Sequence, residues 1–296
     1  MSFAGDVKTE LCRVAMSRKC CVHAECYGIL LYCNTFTSGE VRIITENDAF
    51  AQRLPLIFKK AFKFSFDRLP NGDGKHIFSI NDPKKLAVIQ QLFGGDAKSL
   101  ALHINFGVLE ENCCRTSFLR GAFLAGGSVT DPRKGYHMEL ATSHLSVSRE
   151  MVALMREMEL EPKSAQRKGN AVIYFKQSDR IEDLLTSIGA PISAMEVMNA
   201  KLEKDLRGSV NRQVNCDAAN LDKAVEAAMT QVEAIRKLKA NGQLALLPDK
   251  LRETARLRLE HPEDTLSQLA EQYDPPITKS ALNHRLRKLV ELGREQ

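Results

Sequence analysis

The sequence predicts an α+β chain in which a duplicated N-terminal domain with pseudo-twofold symmetry is followed by an all-α helix-turn-helix domain. Three observations carry that reading. Two stretches in the first two thirds repeat at a nearly constant offset. Each copy reads helix, strands, helix, strand, helix, with β-rich runs for strands and glycine at helix ends. After Met198 the chain turns polar, then shows apolar residues at helical spacing interrupted by prolines. The expected boundaries are 1–200 for the duplicated domain, with copies at about 12–95 and 105–190. A connector is expected at 201–220 and a helical domain at 221–296, its helix-turn-helix at about 264–292.

The repeat is set by two adjacent-cysteine pairs. Placing Cys20-Cys21 over Cys113-Cys114, a shift of 93, brings Gly28 onto Gly121 and Phe36 onto Val129. Copy one then reads as a helix through Ala24 to Leu31 ending near Asn34-Thr35, a strand at Val41 to Thr45 and a helix at Ala49 to Phe62. Its last strand is Ile77 to Ile80, and its last helix carries Leu86 and stops at Gly94-Gly95. Copy two reads as a helix through Phe118 to Gly126 with a small-residue turn at Gly127-Ser128, a strand at Tyr136 to Thr142 and a helix at Arg149 to Met158. The strand Val172 to Phe175 and a helix carrying Ile181 and ending at Gly189-Ala190 close it, at a shift near 95.

The chain has 296 residues, 42 Lys+Arg against 37 Asp+Glu and a net charge of +5, which excludes a uniformly basic coat but not a local basic surface. The apolar run at Ile29 to Leu31 falls far short of the ~20 residues a bilayer span needs. No secretory signal pattern is visible, and a cytoplasmic, nucleoid-associated protein with no membrane partner is expected. The eight cysteines include no Cys-x-x-Cys pair, and neighbours such as Cys20 and Cys21 are not expected to reach one metal without strain. Buried, reduced thiols acting as small hydrophobes are expected, with no metal ligand set and no cofactor.

The segment Leu119-Arg120-Gly121-Ala122-Phe123-Leu124-Ala125-Gly126-Gly127-Ser128-Val129 resembles the LAGLIDADG helix family, which includes homing endonucleases. That resemblance implies two such helices side by side on a pseudo-twofold axis, with small residues along the seam. Gly121 with Ala125, and Ala122 with Gly126, have the i,i+4 spacing for it. Active members carry one carboxylate at the foot of each seam helix to hold divalent metal. The matching positions here are Gly126 and Cys33, and neither supplies the hard oxygen magnesium takes. Asp131 lies beyond the turn, and its mate by the same shift is Ser38. No catalytic residue is therefore expected. Basic runs at Lys59, Lys60, Lys63 and Arg68, beside Phe62, Phe64 and Phe66, and at Lys163, Arg167 and Lys168 read as solvated faces, DNA contacts or a protein-partner surface.

Downstream, 201–220 is polar and reads as an exposed connector or irregular arm, in which Arg207, Asn211, Arg212 and Asn215 are candidate contacts to DNA or to a neighbouring domain. Leu221, Val225, Ala228, Val232, Ile235 and Leu238 recur at helical spacing up to the stop at Asn241-Gly242. A helix is expected at Asp249 to Glu260, then a short one over Thr265 to Tyr273. After the break at Asp274-Pro275-Pro276, a helix capped by Thr278 runs through Leu289. Short helix, tight break and basic helix make a helix-turn-helix pattern, which resembles the DNA-reading end domain of bacterial sigma factors. From Glu226 onward charges nearly balance, at 12 Lys+Arg and 11 Asp+Glu, yet Thr278 to Val290 holds no acid. Leu282, Leu286 and Leu289 share the inner face. Lys279, Ser280, Asn283, His284 and Arg287 project away from it as candidate base contacts, Arg285 and Lys288 are candidate phosphate contacts, and the capping Thr278 is a further candidate DNA contact.

Over nearly its whole length the chain resembles the WhiA family. The stretches that carry this are Arg120 to Pro132, Tyr136-His137-Met138-Glu139, Val210 to Cys216, Ala219-Asn220-Leu221 and Thr278 to Leu289. The resemblance implies a degenerate LAGLIDADG platform joined to a sigma-like reader of double-stranded DNA. It further implies a transcriptional regulator linked to cell division, chromosome segregation and sporulation, with a regulatory protein partner left open. A protein-interaction or chromosome-organising module with little sequence preference, and a residual metal-dependent endonuclease, are the rival readings.

Overall fold

The computed structural model describes residues 2–70, 74–94 and 101–294, so Gly95 of the expected Gly94-Gly95 stop lies outside the described residues. The chain forms two compact units, Met1–Lys204 and Asp205–Gln296.

In the first unit, α1 (Phe3–Leu11) precedes copy one: α2 (Lys19–Tyr32), β1 (Thr35–Phe36), β2 (Val41–Thr45), α3 (Asp48–Phe62), β3 (His76–Ile80) and α4 (Pro83–Phe93). Copy two follows as α5 (Asn112–Gly126), β4 (Gly127–Val129), β5 (Met138–Thr142), α6 (Leu145–Glu157), β6 (Lys163–Arg167), β7 (Asn170–Phe175) and α7 (Ser178–Ile188). Among the described residues each copy builds one antiparallel sheet, ordered β1-β2-β3 in the first and β4-β5-β7-β6 in the second. Alternation sets the register. Val41 pairs with Ile80 and Ile43 with Phe78, while Met138 pairs with Phe175 and Leu140 with Ile173. In both sheets these pairs point inward and are buried. The helix stops match as well. Gly94 and Gly189 adopt the left-handed conformation, φ 69° and 102°, past the ends of α4 and α7.

The seam helices α2 and α5 run side by side through the core, N-terminus beside N-terminus. A Cβ on Gly28 would lie 2.1 Å from the Phe118 carbonyl oxygen, and one on Gly121 would lie 2.0 Å from that of Glu25. The duplication thus places two equivalent glycines where the backbones touch. Both helices are buried nearly all round, as expected for helices covered on every side. Beside this contact Glu25 is buried between two guanidinium groups. Its oxygens accept from Arg53 Nε at 2.7 Å, Arg53 Nη2 at 3.0 Å and Arg120 Nη1 at 3.2 Å.

Two features depart from the sequence reading. Strand β6 is a full edge strand, matched among the described residues of copy one only by a single antiparallel bridge of Arg68 to Ser79 on β3. Lys163 and Arg167 lie on it, and Arg68 lies at the matching sheet edge, whereas Lys59 and Lys60 lie on α3, so the two basic runs are equivalent only at Arg68. Beside the first run, Phe62 and Phe66 are core residues, in tilted, stacked and edge-on contact with Phe58, Phe64, Phe78 and Phe93. Second, residues 201–220 are helical, not irregular. They belong to α8 (Pro191–Ala240), inside which the boundary between the units falls. The stretch has no proline and one glycine, and its Lys, Glu, Arg, Gln, Leu and Ala favour helix more than its scattered asparagines oppose it.

The second unit continues from α8 through α9 (Asp249–Glu260), α10 (Leu266–Glu271) and α11 (Lys279–Arg294). Its core is separate: Ile235, Leu238, Leu251, Ala255, Leu257, Leu269, Ala270, Tyr273, Leu282, Leu286 and Leu289. Among the described residues no helix is long and apolar enough to cross a membrane.

Candidate nucleic-acid interface

Local signals position α10 and α11. Thr265 caps α10 in a capping box, its hydroxyl accepting from the Gln268 N–H while the Gln268 side chain accepts from the Thr265 N–H. Arg258 is buried under the α9–α10 loop and donates to the Asp264 carbonyl at 2.8 Å and the His261 carbonyl at 3.3 Å. At the end of α10 the buried Tyr273 hydroxyl donates to Thr254 Oγ1 at 2.7 Å. The next break is closed by the Ile277 N–H on the Ala270 carbonyl, 3.2 Å, and Thr278 Oγ1 then accepts from the Ala281 N–H at 3.2 Å to start α11. Along α11, Leu282, Leu286 and Leu289 are fully buried. The last turn fits closely against α8, where a Cβ on Gly293 would lie 2.8 Å from the Ala234 Cβ.

With that face buried, the remaining side chains sort by position. Thr278, Lys279, Ser280, His284, Arg287 and Lys288 are exposed. Asn283 is half-buried and, with Arg287, borders a groove formed with Lys223, Glu226 and Thr230 of α8, so it does not project straight outward as expected. Arg285 is half-buried on the other flank, its guanidinium 5.4 Å from the centre of the Tyr273 ring. The sequence candidates exposed on α11 are therefore Lys279, Ser280, His284, Arg287 and Lys288, two hydrogen-bonding groups and three cations that suit base edges and phosphates, with the exposed Glu291 following one turn after Arg287. The aromatic anchor under Arg285 gave no distinct sequence signal, because Tyr273 reads as one more apolar residue of a short helix.

Arg207, Asn211, Arg212 and Asn215 are all exposed and fall on successive turns of α8, with Arg207, Asn211 and Asn215 in one i,i+4 row. The helix thus brings together four polar groups of the stretch that the sequence predicts to be an exposed connector or an irregular arm.

At the foot of the seam no carboxylate is present at either matching position. A Cβ on Gly126 would meet the Ala141 carbonyl oxygen at 2.6 Å and that of Tyr32 at 3.0 Å, so the backbone leaves no room there for an acidic side chain. Cys33 Sγ lies 3.2 Å from the Leu30 carbonyl and 3.1 Å from that of Thr35, and burial pushes its thiol up to about 12. Asp131 is used locally: its side chain accepts from the Arg133 N–H at 2.9 Å and closes a turn.

The family profile described as the WhiA C-terminal HTH domain matches residues 210–293, and that described as the WhiA LAGLIDADG-like domain matches residues 115–207. The chain is 34% identical over 309 residues to a protein named probable cell division protein WhiA from Alkaliphilus metalliredigens, covering 99% of this chain and 98% of that one. It is 38% identical over 305 residues to its namesake from Ruminiclostridium cellulolyticum, covering 99% and 97%. The crystal structure of full-length DUF199/WhiA from Thermatoga maritima superposes with a TM-score of 0.61 at 23% identity, covering 100% of this chain and 99% of that one, which shows a shared fold. With two domain profiles matched in order and relatives above 30% identity along the full chain, this protein belongs to the WhiA family.

Proposed function

We propose that this chain is a sequence-specific, double-stranded-DNA-binding transcriptional regulator that acts in cell division. The observation that carries it is the outward face of α11, where Ser280, His284, Arg287 and Lys288 stand exposed on a helix without acid from Thr278 to Val290. Cell division comes from the names of the relatives; chromosome segregation, sporulation and a cytoplasmic, nucleoid-associated location come from the family resemblance. The duplicated unit serves as a platform with no nuclease activity, since Gly126 and Cys33 provide no ligand for a hard cation.

Selection from random duplexes followed by sequencing is expected to return a defined motif. Arg287→Ala is expected to relax one position of that motif and lose about 1–3 kcal/mol of discrimination. Lys288→Ala is expected to weaken all duplexes alike and lower the salt slope by about 1. A flat selection, or variants with the parent's preferences and slope, would replace this reading by a protein-interaction or chromosome-organising module. For the platform, incubation with magnesium or manganese is expected to leave supercoiled and linear duplexes intact; metal-dependent nicking lost in Asp131→Ala would restore the endonuclease reading.

A further inference from the structure

Four cysteines meet at the opposite end of the seam from the emptied nuclease positions. Cys20 and Cys21 occupy the second and third positions of α2, and Cys113 and Cys114 the same positions of α5. Their Sγ atoms all lie within 4.8 Å of one another. Cys114 is buried, Cys21 and Cys113 are half-buried and Cys20 is exposed, so the cluster is enclosed on the protein side and reachable from solvent. All four are free thiols. This corrects the expectation drawn from spacing. Adjacent residues of a helix diverge by about 100°, but each pair straddles the seam, and the partner helix supplies the other two donors.

We propose that Cys20, Cys21, Cys113 and Cys114 form a binding site for a single zinc ion. Four thiolates at tetrahedral corners are the donor set for zinc or for iron–sulfur chemistry. The spacing selects the single ion. With zinc–sulfur bonds of about 2.3 Å, tetrahedral sulfurs sit about 3.8 Å apart, which the thiols reach by closing about 1 Å or less. An iron–sulfur cluster places several atoms between its cysteines and requires the two pairs to separate. Binding displaces the thiol protons to solvent and leaves a net charge of −2 on the zinc–thiolate group. The surroundings compensate that charge. Arg18 Nη1 lies 3.7 Å from Cys113 Sγ, and the first-turn N–H groups of both helices face the cluster end with no side-chain cap on either. The ion would join the two copies at their symmetry axis, at the end of the seam where α2 and α5 begin, adding to the Glu25–Arg120 contact further along it, and would supply the stability of a structural site.

The test uses the full chain purified under reducing conditions without chelator, then equilibrated with zinc and desalted. About one zinc per chain is expected, with release by a thiol-modifying mercurial in step with the loss of four thiols. Cobalt(II) substitution is expected to give the intense visible bands and thiolate charge-transfer absorption of a tetrahedral sulfur site. Cys20→Ser/Cys113→Ser is expected to lose affinity at least about tenfold, together with the cobalt spectrum, while Cys216→Ser, at an exposed site on α8, retains both. Far-UV circular dichroism of the unloaded forms checks that the double variant is folded, and the parent alone is expected to gain thermal stability on adding zinc. The proposal is overturned if the folded parent retains no stoichiometric zinc, if the double variant loads like the parent, if iron with sulfide is found instead, or if mapping finds the four cysteines in disulfides in protein kept anaerobic.

Discussion

Gly121→Ala is expected to destabilise the N-terminal unit by about 3 kcal/mol or more. Two effects oppose each other. Alanine favours helix over glycine by about 1 kcal/mol, and on an exposed helix the substitution would stabilise. Here the added carbon would sit 2.0 Å from the Glu25 carbonyl oxygen and 3.0 Å from the Ile29 nitrogen, both backbone atoms of α2 that no rotamer change can move. Relief requires the seam helices to separate, which opens contacts along their whole length. The steric cost therefore outweighs the propensity gain. For a unit of this size such a loss corresponds to a drop in melting temperature of about 6–12 °C, read by circular dichroism. Gly28→Ala, facing the Phe118 carbonyl, is expected to behave the same way. A melting temperature equal to the parent's in either variant would mean that the helices do not touch at these glycines.

The second large effect is expected at Glu25. Removing its carboxylate in Glu25→Ala leaves the guanidinium groups of Arg53 and Arg120 facing each other with no anion between them. Both arginines are buried, and breaking a buried ion pair from one side costs about 3–5 kcal/mol. The remaining bonds hold the arginines in place: Arg53 Nη1 donates to the carbonyls of Cys12 and Val14 at 2.9 and 2.8 Å, and Arg120 Nε to that of Ile188 at 2.7 Å. They cannot swing to solvent without releasing the segment after α1 and the end of α7. Glu25→Gln keeps an acceptor and is expected to cost less, about 1–3 kcal/mol. Urea denaturation of the three proteins gives the order parent, Gln, Ala. Equal midpoints for Ala and parent would show that water reaches the triad.

Much of the candidate interface was legible in the sequence. The Thr278 cap, the inner leucines of α11 and its acid-free run are all short-range patterns, and the structure places them as expected. The partition of the outer residues was not legible. Asn283 borders α8 and Arg285 lies over Tyr273 because of where those neighbours come from, which helical spacing on α11 does not encode. The helical state of the exposed connector was not legible either, for a different reason. Polar residues and asparagines marked it as irregular, but an exposed helix needs no apolar face of its own when propensity and flanking helix support it.

By itself the sequence determined the duplication, the alternation of helices and strands, the helix stops at Gly94 and Gly189 and the absence of acids at Gly126 and Cys33. All of these rest on residue type and on periodicity within one element. Only the tertiary structure decided that Glu25 sits between Arg53 and Arg120, that Gly28 and Gly121 face backbone oxygens, and that four thiols converge from two helices. Those contacts join atoms 28 to 96 residues apart in the chain, and their energies depend on distances of a few ångströms that no local pattern specifies.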